Sequence, residues 1–338
     1  MGKAEQDLVA EAEALGEKLA RARAEIGKRV IGQEGVVELV LAALLSGGHA
    51  LLIGLPGLGK TRLVDTLARV MGLEGGRVQF TPDLMPADIL GAEVLEEAAD
   101  GSRGFRFLPG PVFCQLLLAD EINRASPRTQ SALLQAMQEH EVTIAGQAHR
   151  LPEPFHVLAT QNPLEQEGTY PLPEAQLDRF LLQIDVAYPA RAAERDILLA
   201  TTGAEEATAS PVLAAGELIA AQALLRRMPV GEEVVALILD LVRACRPDDP
   251  SAPAPVREWV SWGPGTRAAQ ALMLLTRARA LLDGRLAPGP ADVIALARPV
   301  LIHRMALSYG ARARGESLAG LIDTVVAGVA PEAGGAAA

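Results

Sequence analysis

The sequence predicts an α/β fold in which a parallel sheet is followed by a second domain built from helices. Short apolar runs alternate with helical patterns up to Val186, and several runs end in glycine, acidic or amide residues. Strands covered on both faces of a parallel sheet are apolar along their length, and ligands bind at their carboxyl ends. We therefore expect an α/β domain at residues 1–200, a linker at 201–211, a helical domain at 212–330 and a disordered tail at 331–338.

Each element has its own sequence signature. The N-terminal 26 residues form a charged helical pattern, and apolar residues at helical spacing predict helices at Val36–Leu45 and Arg62–Met71. Continuous apolar runs predict strands at Leu51–Ile53, Val78–Phe80, Leu116–Asp120, Phe155–Thr160 and Leu181–Ile184. In the second domain, helical spacing predicts helices at Ala214–Met228, Glu232–Ala244, Arg267–Asp283, Pro290–Leu301 and Leu318–Val326.

Composition is typical of an ordered protein without a large basic surface. The 338 residues include 49% hydrophobic residues, enough for a core and about two domains. A net charge of −11 disfavours nucleic acid as a partner. Cys114 and Cys245 lack ligand spacing, and the five histidines form no HxxxH pair, so neither a disulfide framework nor a histidine metal site is predicted.

No membrane segment is expected. The N-terminal helical pattern lacks the apolar core and cleavage site of a secretory signal. The apolar stretch 36–55 is divided by Glu38, His49 and the Gly47-Gly48 pair into a helix and a strand. We therefore expect a cytoplasmic protein.

The most informative segment joins the strand at Leu51–Ile53 to the helix that follows it. It reads Gly54-Leu-Pro-Gly-Leu-Gly-Lys-Thr61, a glycine-rich loop ending in lysine and threonine. Glycines allow the backbone N–H groups to converge on a phosphate, Lys60 can reach the β- and γ-phosphates, and the Thr61 hydroxyl can bind Mg²⁺. This pattern predicts a nucleotide-binding loop.

A second signature lies sixty residues further along the chain. The apolar run from Leu116 ends in Asp120 and Glu121, which is a Walker B pattern. Asp120 is expected to hold Mg²⁺ through water, and Glu121 to orient and deprotonate the attacking water. The second acid is typical of nucleotide hydrolases and not of P-loop kinases.

Two further polar residues flank predicted strands. Asn162 follows the run that ends at Thr160, so its amide is predicted to reach the γ-phosphate or the water at the same sheet edge. Arg179 precedes the run that begins at Leu181. A guanidinium presented from there to a neighbouring subunit could stabilise charge on a transferring phosphoryl group.

Together these residues resemble a MoxR-type ATPase of the AAA+ superfamily. The resemblance extends from Val30-Ile-Gly-Gln33 to about Val326. Its most specific motifs are Asp120-Glu-Ile-Asn-Arg-Ala-Ser-Pro127, Gln130-Ser-Ala-Leu-Leu-Gln-Ala-Met-Gln-Glu139, Ala159-Thr-Gln-Asn-Pro163 and Leu172-Pro-Glu-Ala-Gln-Leu-Asp-Arg-Phe180. The resemblance implies a P-loop NTPase core with a five-stranded parallel sheet and a smaller all-α lid domain.

The resemblance also implies roles for individual residues. The expected catalytic set is Glu121, Asn162 as sensor 1, Arg179 as arginine finger and Arg267 as sensor 2, reaching back from the lid to the phosphates. The expected ATP-binding set is Ile31, Gly32, Gln33, Gly54, Pro56, Gly57, Leu58, Gly59, Lys60, Thr61, Arg62 and Asp120, with Thr61 and Asp120 on Mg²⁺. The loop before Arg267 carries Gly-Thr where relatives more often carry Ser-Pro. Arg124 either faces a neighbouring nucleotide or secures the loop after Walker B.

Two hairpins are predicted between the core strands. Glu93–Leu95 and Phe105–Phe107 flank a Gly/Asp-rich turn, and this hairpin resembles the helix-2 insert of magnesium chelatase ATPases and McrB-like GTPases. Val142–Ile144 and His149–Leu151 flank a second turn at 145–147. Both either approach a pore or partner face, as the resemblance implies, or merely cover the core.

By the resemblance, the chain forms a ring, expected to be a hexamer, and hydrolyses Mg-ATP to remodel or mature a client protein. This activity often serves metal or cofactor insertion with a von Willebrand factor A domain partner. One alternative is an energy-coupling subunit of a chelatase-like or nucleic-acid-acting complex. Another is a nucleotide-dependent switch with negligible turnover, although a pure switch needs neither the base Glu121 nor the finger Arg179.

Overall fold

The computed structural model describes residues 3–97, 103–164, 168–203 and 207–329. Its strands are β1 Ala50–Gly54, β2 Gly75–Gln79, β3 Gly91–Glu97, β4 Arg103–Pro109, β5 Leu116–Asp120, β6 Glu141–Ile144, β7 Gln147–Arg150, β8 His156–Gln161, β9 Leu182–Val186, β10 Val260–Trp262 and β11 Ala306–Leu307. Its helices are α1 Lys3–Gly27, α2 Glu34–Leu45, α3 Lys60–Val70, α4 Pro86–Leu90, α5 Pro127–Glu139, α6 Glu174–Leu177, α7 Arg191–Thr202, α8 Ala215–Arg227, α9 Glu232–Ala244, α10 Ala254–Trp259, α11 Thr266–Leu282, α12 Pro290–Leu301, α13 Tyr309–Ala313 and α14 Leu318–Val329.

The five apolar runs form one parallel sheet, as predicted. The strand order is β2-β5-β8-β1-β9, and every neighbouring pair runs parallel. β1 lies between β8 and β9, so Gly54 is aligned with Val186 and Ile53 with Gln161. The carboxyl ends of these strands therefore meet at one edge of the sheet, where the site residues follow them.

Both ends of β2 differ from the prediction. β2 covers Gly75–Gln79, whereas the sequence predicted Val78–Phe80. Gly75 and Gly76 look like turn residues, but β2 passes so close to Cys114 that a Cβ on Gly76 would lie 2.7 Å from its Sγ. Close approach, and not a turn, explains the glycine at position 76.

Two buried clusters cover the two faces of the sheet, because successive strand residues point to opposite sides. Ala50 and Leu52 pack into one cluster with α1, α2 and α3, and helices α8, α9, α11 and α12 contribute to the same cluster. Leu51 packs into the other cluster with α5 and β6. The helical region thus shares a continuous core with one face of the sheet.

The helical region follows the predicted pattern closely, with additions. α9 and α12 have the predicted bounds, and the other three predicted helices differ by one to three residues at their ends. Two short helices, α10 and α13, and the antiparallel pair β10–β11 were not predicted. Each is too short for a helical or alternating pattern to stand out in the sequence.

Helix α1 connects the two parts of the chain. Lys18 pairs with Glu217 of α8, and Arg23 donates to the Leu282 carbonyl of α11, 3.2 Å away. The predicted linker at 201–211 is partly structured, because α7 continues to Thr202 and the Ser210 N–H donates to the Glu25 carboxylate over 2.9 Å. Residues 204–206 of that linker and the predicted tail at 331–338 lie outside the described residues.

Both predicted hairpins are present. β3 pairs with β4, with Leu95 opposite Phe105, and the turn at 98–102 lies outside the described residues. In the second hairpin the turn is only Ala145-Gly146, not the predicted 145–147, since Gln147 already pairs with Ile144. Both turn residues have positive φ, 48° and 85°, which suits a two-residue turn between antiparallel strands.

Both cysteines are buried and free. Burial raises the pKa of each thiol to about 12, and the charge of Glu74 adds to this shift at Cys114. The thiols are therefore protonated at neutral pH. None of the described helices combines the length and the apolar character that a membrane span requires.

Candidate nucleotide site

The glycine-rich loop turns sharply between β1 and α3. Gly57 and Gly59 have φ of 82° and 74°, a region that strongly favours glycine, and Gly59 caps the N-terminus of α3. Gly54 lies against β9 so closely that a Cβ would be 2.8 Å from the Val186 side chain. The first N–H groups of α3 have no partners within the helix, so this end suits an anion.

Lys60 opens α3 and lies near the acidic pair. Its Nζ donates to the Gly54 carbonyl over 2.6 Å. Burial lowers the pKa of Lys60, and the charges of Asp120 and Glu121 oppose this shift. Lysine and both carboxylates thus lie at the same carboxyl edge of the sheet, although they come from distant parts of the chain.

Asp120 is fixed by two partners. The Thr160 hydroxyl donates to its Oδ1 over 2.7 Å, and Arg77 of β2 pairs with its Oδ2 at 2.8 Å. The same Thr160 oxygen accepts the backbone N–H of Glu121 at 2.8 Å. One buried hydroxyl therefore connects the end of β8 to both acids.

Glu121 adopts a backbone conformation that is uncommon for a residue with a side chain, with φ of 56°. Its Oε2 accepts from Gln79 Nε2 over 2.8 Å and pairs with Arg124 Nε at 3.0 Å. Arg124 therefore contacts Glu121 of its own chain. Of its two predicted roles, this contact favours securing the loop after Walker B.

Asn162 lies one residue beyond β8, beside Gly54 of the neighbouring strand β1. Its side chain is buried, and its Oδ1 accepts the Leu164 N–H over 3.2 Å. The amide is thus held at the sheet edge that also carries Lys60 and Asp120.

A cavity of about 690 Å³ opens beside the glycine-rich loop. Its lining includes Ile31, Gln33, Pro56, Gly57, Leu58, Gly59 and Arg62, all of which the sequence assigned to ATP. It also includes Tyr188, Pro189, Glu194, Ile197, Leu198 and Thr201, which the sequence did not assign. Apolar walls next to a phosphate-type loop suit a nucleobase.

The segment 31–33 closes one side of this cavity. Gln33 Nε2 donates to the Leu58 carbonyl over 2.8 Å, which ties the segment to the glycine-rich loop. Gly32 has φ of 73°, and a Cβ there would lie 2.3 Å from the Ala193 methyl of α7. Only glycine allows the segment and α7 to come this close.

The donor set at this edge fits a magnesium nucleotide. Thr61 follows Lys60 in the first turn of α3, and Asp120 offers a carboxylate at the end of β5, which β8 separates from β1. Hydroxyl and carboxylate oxygens are the ligands that Mg²⁺ takes, together with waters and substrate phosphates. The described residues contain no cluster of histidine, cysteine and acidic side chains that would favour another metal.

The structure separates Arg179 and Arg267 from these residues. Leu181 N–H donates to the His49 carbonyl over 2.8 Å, so the segment 178–181 lies at the amino ends of β1 and β9. The phosphate-type loop leaves the carboxyl end of β1, five residues or about 16 Å away at ~3.3 Å per residue. Arg179 and Arg267 line a second cavity of about 250 Å³ at the amino edge.

Arg267 was expected to reach back from the helical region to the phosphates. Within this chain it pairs with Asp178 at 3.5 Å, at the sheet edge opposite the glycine-rich loop. The reason is the packing of α11, whose buried residues dock on α2 and the other helices of the shared core and orient the N-terminus of α11 toward segment 178–181.

Sequence reasoning also missed several residues of the site. Thr160 and Gln79 contact the acidic pair, but isolated threonine and glutamine residues at strand ends carry no motif. Tyr188, in the segment between β9 and α7, and Ile197 and Leu198 of α7 line the large cavity. The sequence offered no motif for them, only apolar residues at helical spacing in α7.

This chain is similar to known proteins in both sequence and architecture. Residues 49–182 match the ATPase family associated with various cellular activities (AAA), and residues 256–324 match the AAA lid domain. The chain is 43% identical to a protein named chaperone MoxR1 of Mycobacterium tuberculosis, over 87% of this chain and 77% of that protein. It is 33% identical to protein MoxR of Paracoccus denitrificans, over 90% and 94%. A crystal structure of a protein assigned as an ATPase from Cytophaga hutchinsonii superposes with a TM-score of 0.89 at 36% identity, over 96% and 98% of the chains.

Proposed function

This chain belongs to the MoxR family of AAA+ ATPases, and we propose that it hydrolyses Mg-ATP at the subunit interfaces of a ring, expected to be a hexamer. In this proposal the cycle of ATP binding and hydrolysis drives the remodelling or maturation of a client protein. Each active site combines the carboxyl sheet edge of one subunit with the amino sheet edge of the next.

Residues of one subunit bind the nucleotide in this proposal. The nucleobase of ATP lies between segment 31–33 and α7, in the cavity beside Leu58. Lys60 pairs with the β- and γ-phosphates, and the α3 N–H groups donate to phosphate oxygens. Bound Mg²⁺, held by Thr61 and, through water, by Asp120, would neutralise charge on those phosphates.

Glu121 acts as the base in the same proposal. Its carboxylate orients water for attack on the γ-phosphorus and accepts the proton, while Asn162 holds the water or a γ-phosphate oxygen. The contacts of Glu121 with Gln79 and Arg124 support this role, because they hold the carboxylate at the edge where the phosphates bind.

The observation that carries the proposal is the separation of the arginines from the nucleotide loop. Arg179 and Arg267 lie together at the amino edge, beyond reach of the phosphates of their own chain. Two arginines that share one cavity are suited to stabilise negative charge, and a nucleotide of an adjacent subunit supplies that charge. A monomer would have no use for this arrangement.

Mixing variants tests the shared site. We expect Lys60→Ala to abolish ATP hydrolysis and Arg179→Ala to lower kcat by about 10³-fold or more, the range of arginine fingers. A mixture of the two should regain activity, because a finger from Lys60→Ala subunits meets an intact nucleotide loop of Arg179→Ala subunits. An Arg179→Ala protein as active as wild type, with specific activity independent of protein concentration, would refute the ring proposal.

The client function rests on the family. A relative from Mycobacterium tuberculosis is named a chaperone, and we extend that activity to this chain, in partnership with a von Willebrand factor A domain protein and with metal or cofactor insertion as one outcome. The test is co-purification on tagged Glu121→Gln, which should bind ATP but turn it over slowly. If this variant captured no more partner protein than wild type does, the remodelling proposal would be wrong.

The cellular compartment is part of the same proposal. Free, buried cysteines are compatible with a reducing environment, and we propose that the chain acts in the cytoplasm. Fractionation of cells that express the tagged chain tests this directly.

A further inference from the structure

A buried arginine of the helical region holds the segment that carries Arg179. Arg304 follows α12, and only 2% of its side chain is exposed. Its Nε donates to Asp178 Oδ1 over 2.8 Å, and its Nη2 donates to the Phe180 carbonyl over 2.7 Å. Its Nη1 donates to the Leu181 carbonyl over 3.0 Å.

These contacts converge on one short segment. A fourth, longer contact of 3.4 Å joins Nη2 to the Asp178 carbonyl, and the remaining bond, to Val300, stays within the helical region. His303 contacts the Phe180 carbonyl as well, at 3.1 Å. The backbone on both sides of Arg179 is thus fixed by residues 303 and 304, while Arg179 itself points into the cavity it shares with Arg267.

A purely structural role explains this arrangement poorly. Burying a guanidinium is unfavourable unless its charge and donors are satisfied, and an apolar side chain of similar volume often serves a core at least as well. Here the satisfying groups are the carboxylate and carbonyls of 178–181. The Asp178 carboxylate also pairs with Arg267, so it joins two arginines of the helical region to the residue beside Arg179.

We propose that Arg304 is a positioning residue for Arg179, through which the helical region of one subunit sets the direction of the arginine offered to the nucleotide of its neighbour. This inference rests on the proposed role of Arg179 as a finger. A misplacement of about 1 Å in a catalytic group can lower a rate about 10²-fold, so a loosened 178–181 segment should impair catalysis without touching the nucleotide loop.

The test uses the full-length Arg304→Gln and Arg304→Lys proteins. We expect kcat to fall by about 10²-fold for Arg304→Gln and less for Arg304→Lys, which keeps the charge. The affinity for a fluorescent ATP analogue, measured directly, should match that of wild type, because the nucleotide loop lies at the other edge. Arg298→Gln is the matched control, since Arg298 is an exposed arginine of α12 that pairs only weakly with Asp323, 3.9 Å away, and its kcat should be unchanged.

Mixing separates positioning from general damage. Arg304→Gln should regain activity when mixed with Lys60→Ala, whose finger is intact, and should gain none when mixed with Arg179→Ala, which is impaired at the same edge. Recovery with neither partner, weakened binding of the ATP analogue, or an unchanged kcat would each overturn the inference. If Lys60→Ala and Arg179→Ala fail to complement each other, the proposed shared site is itself wrong. If they complement each other but Arg304→Gln does not behave as expected, only the positioning role of Arg304 is wrong.

A second variant covers the case in which both Arg304 proteins fail to fold, as judged by thermal melting. Asp178→Asn removes the charge that Arg304 pairs with but keeps the buried guanidinium and its carbonyl contacts. It should fold with a lower melting temperature, because Arg304 loses its counter-charge. It should also lower kcat without changing affinity for the ATP analogue, and complement Lys60→Ala. An Asp178→Asn protein with wild-type kcat would overturn the inference.

Discussion

The two edges of the sheet are built by different means. At the carboxyl edge, the functional side chains follow directly from strand ends, and contacts between neighbouring strand ends, such as Thr160 to Asp120, hold them. At the amino edge, Arg179 is held from outside, by Arg304 and His303 of the helical region. One half of the proposed active site is therefore built within the sheet itself, and the other half exists only because the helical region packs on the sheet.

The edges also differ in their buried ionisable groups. Three neutral histidines lie at the amino edge: His49 before β1, His156 at the start of β8, and His303 on Phe180. Burial lowers their pKa values to about 3, 4 and 3, and neighbouring positive or titratable groups add to the shift. A fall in pH should therefore destabilise the amino edge in particular. Substitutions can be made at either edge separately.

The largest expected effect is acid destabilisation of the amino edge. In the unfolded chain these imidazoles bind a proton near pH 6.5, whereas in the folded chain they stay neutral, so their stabilisation is full above pH 6.5 and is lost as pH falls toward 4. Between pH 7.5 and 5 the loss should be about 2 kcal/mol for each histidine. Urea unfolding at the two pH values measures it.

Two controls locate this effect. His156→Gln should remove the contribution of one histidine to the pH dependence of the unfolding free energy. As the pH is lowered, hydrogen exchange should accelerate first at the Val157 N–H, which donates to His49, and only at lower pH at the Glu121 N–H. An unfolding free energy that stays constant or rises between pH 7.5 and 5 would contradict the contrast between the edges.

The next effect belongs to the carboxyl edge. Glu121→Gln removes the proposed base, and general base catalysis typically contributes 10²–10⁴-fold, so kcat should fall by roughly that factor while ATP binding persists. Mixed with Lys60→Ala, it should recover no activity, because both changes damage the same edge. Glu139→Gln, an exposed change in α5, is the control and should leave kcat unchanged. Activity in the mixture of Glu121→Gln and Lys60→Ala would show that the two residues do not belong to the same half of the active site.

A smaller effect is expected from the hydroxyl that joins the two acids. Thr160→Val leaves the Glu121 N–H without its partner and should cost about 1–3 kcal/mol of stability in urea unfolding. The ATPase rate should fall at least about tenfold, the factor that about 1.4 kcal/mol represents. Thr276→Val, which removes another buried hydroxyl within α11, should lower stability alone; equal activity loss in both would mean that Thr160 has no special part in the site.

The smallest effect tests the connection that α1 makes between the two parts. Lys18 and Glu217 pair in a partly exposed position, and such pairs contribute up to about 1 kcal/mol. Lys18→Ala should lower Tm by no more than about 4 °C at low salt, and less at high salt. Lys28→Ala is the control, because the pair of Lys28 with Glu25 stays within the N-terminal segment. A much larger fall in Tm for Lys18→Ala would show that the Lys18–Glu217 pair alone holds the two parts together.

Sequence alone predicted much of the carboxyl edge because its signals are local. Each strand is an apolar run, and Lys60, Asp120 and Asn162 lie within two residues of a strand end or a turn. The sheet and the main helices were therefore predicted with small errors, as at β2, where close approach to Cys114 places glycines inside a strand.

The amino edge could not be predicted in the same way. Asp178 and Arg304 are far apart in the sequence, and no sequence pattern predicts that they are in contact. The contact between Arg267 and Asp178 was not foreseen for the same reason, since it depends on how α11 docks on α2. Contacts between distant segments are fixed by packing, which periodicity and short motifs do not encode.

The shared core has a consequence for attempts to divide the chain. Ala50, Leu52 and Ile184 of the sheet pack in the same cluster as Leu272 and Leu296 of the helical region. A fragment ending near residue 200 would present that face to water as a broad apolar patch, a surface that favours aggregation. The two parts are therefore expected to fold together, and expression of the first alone should yield insoluble protein.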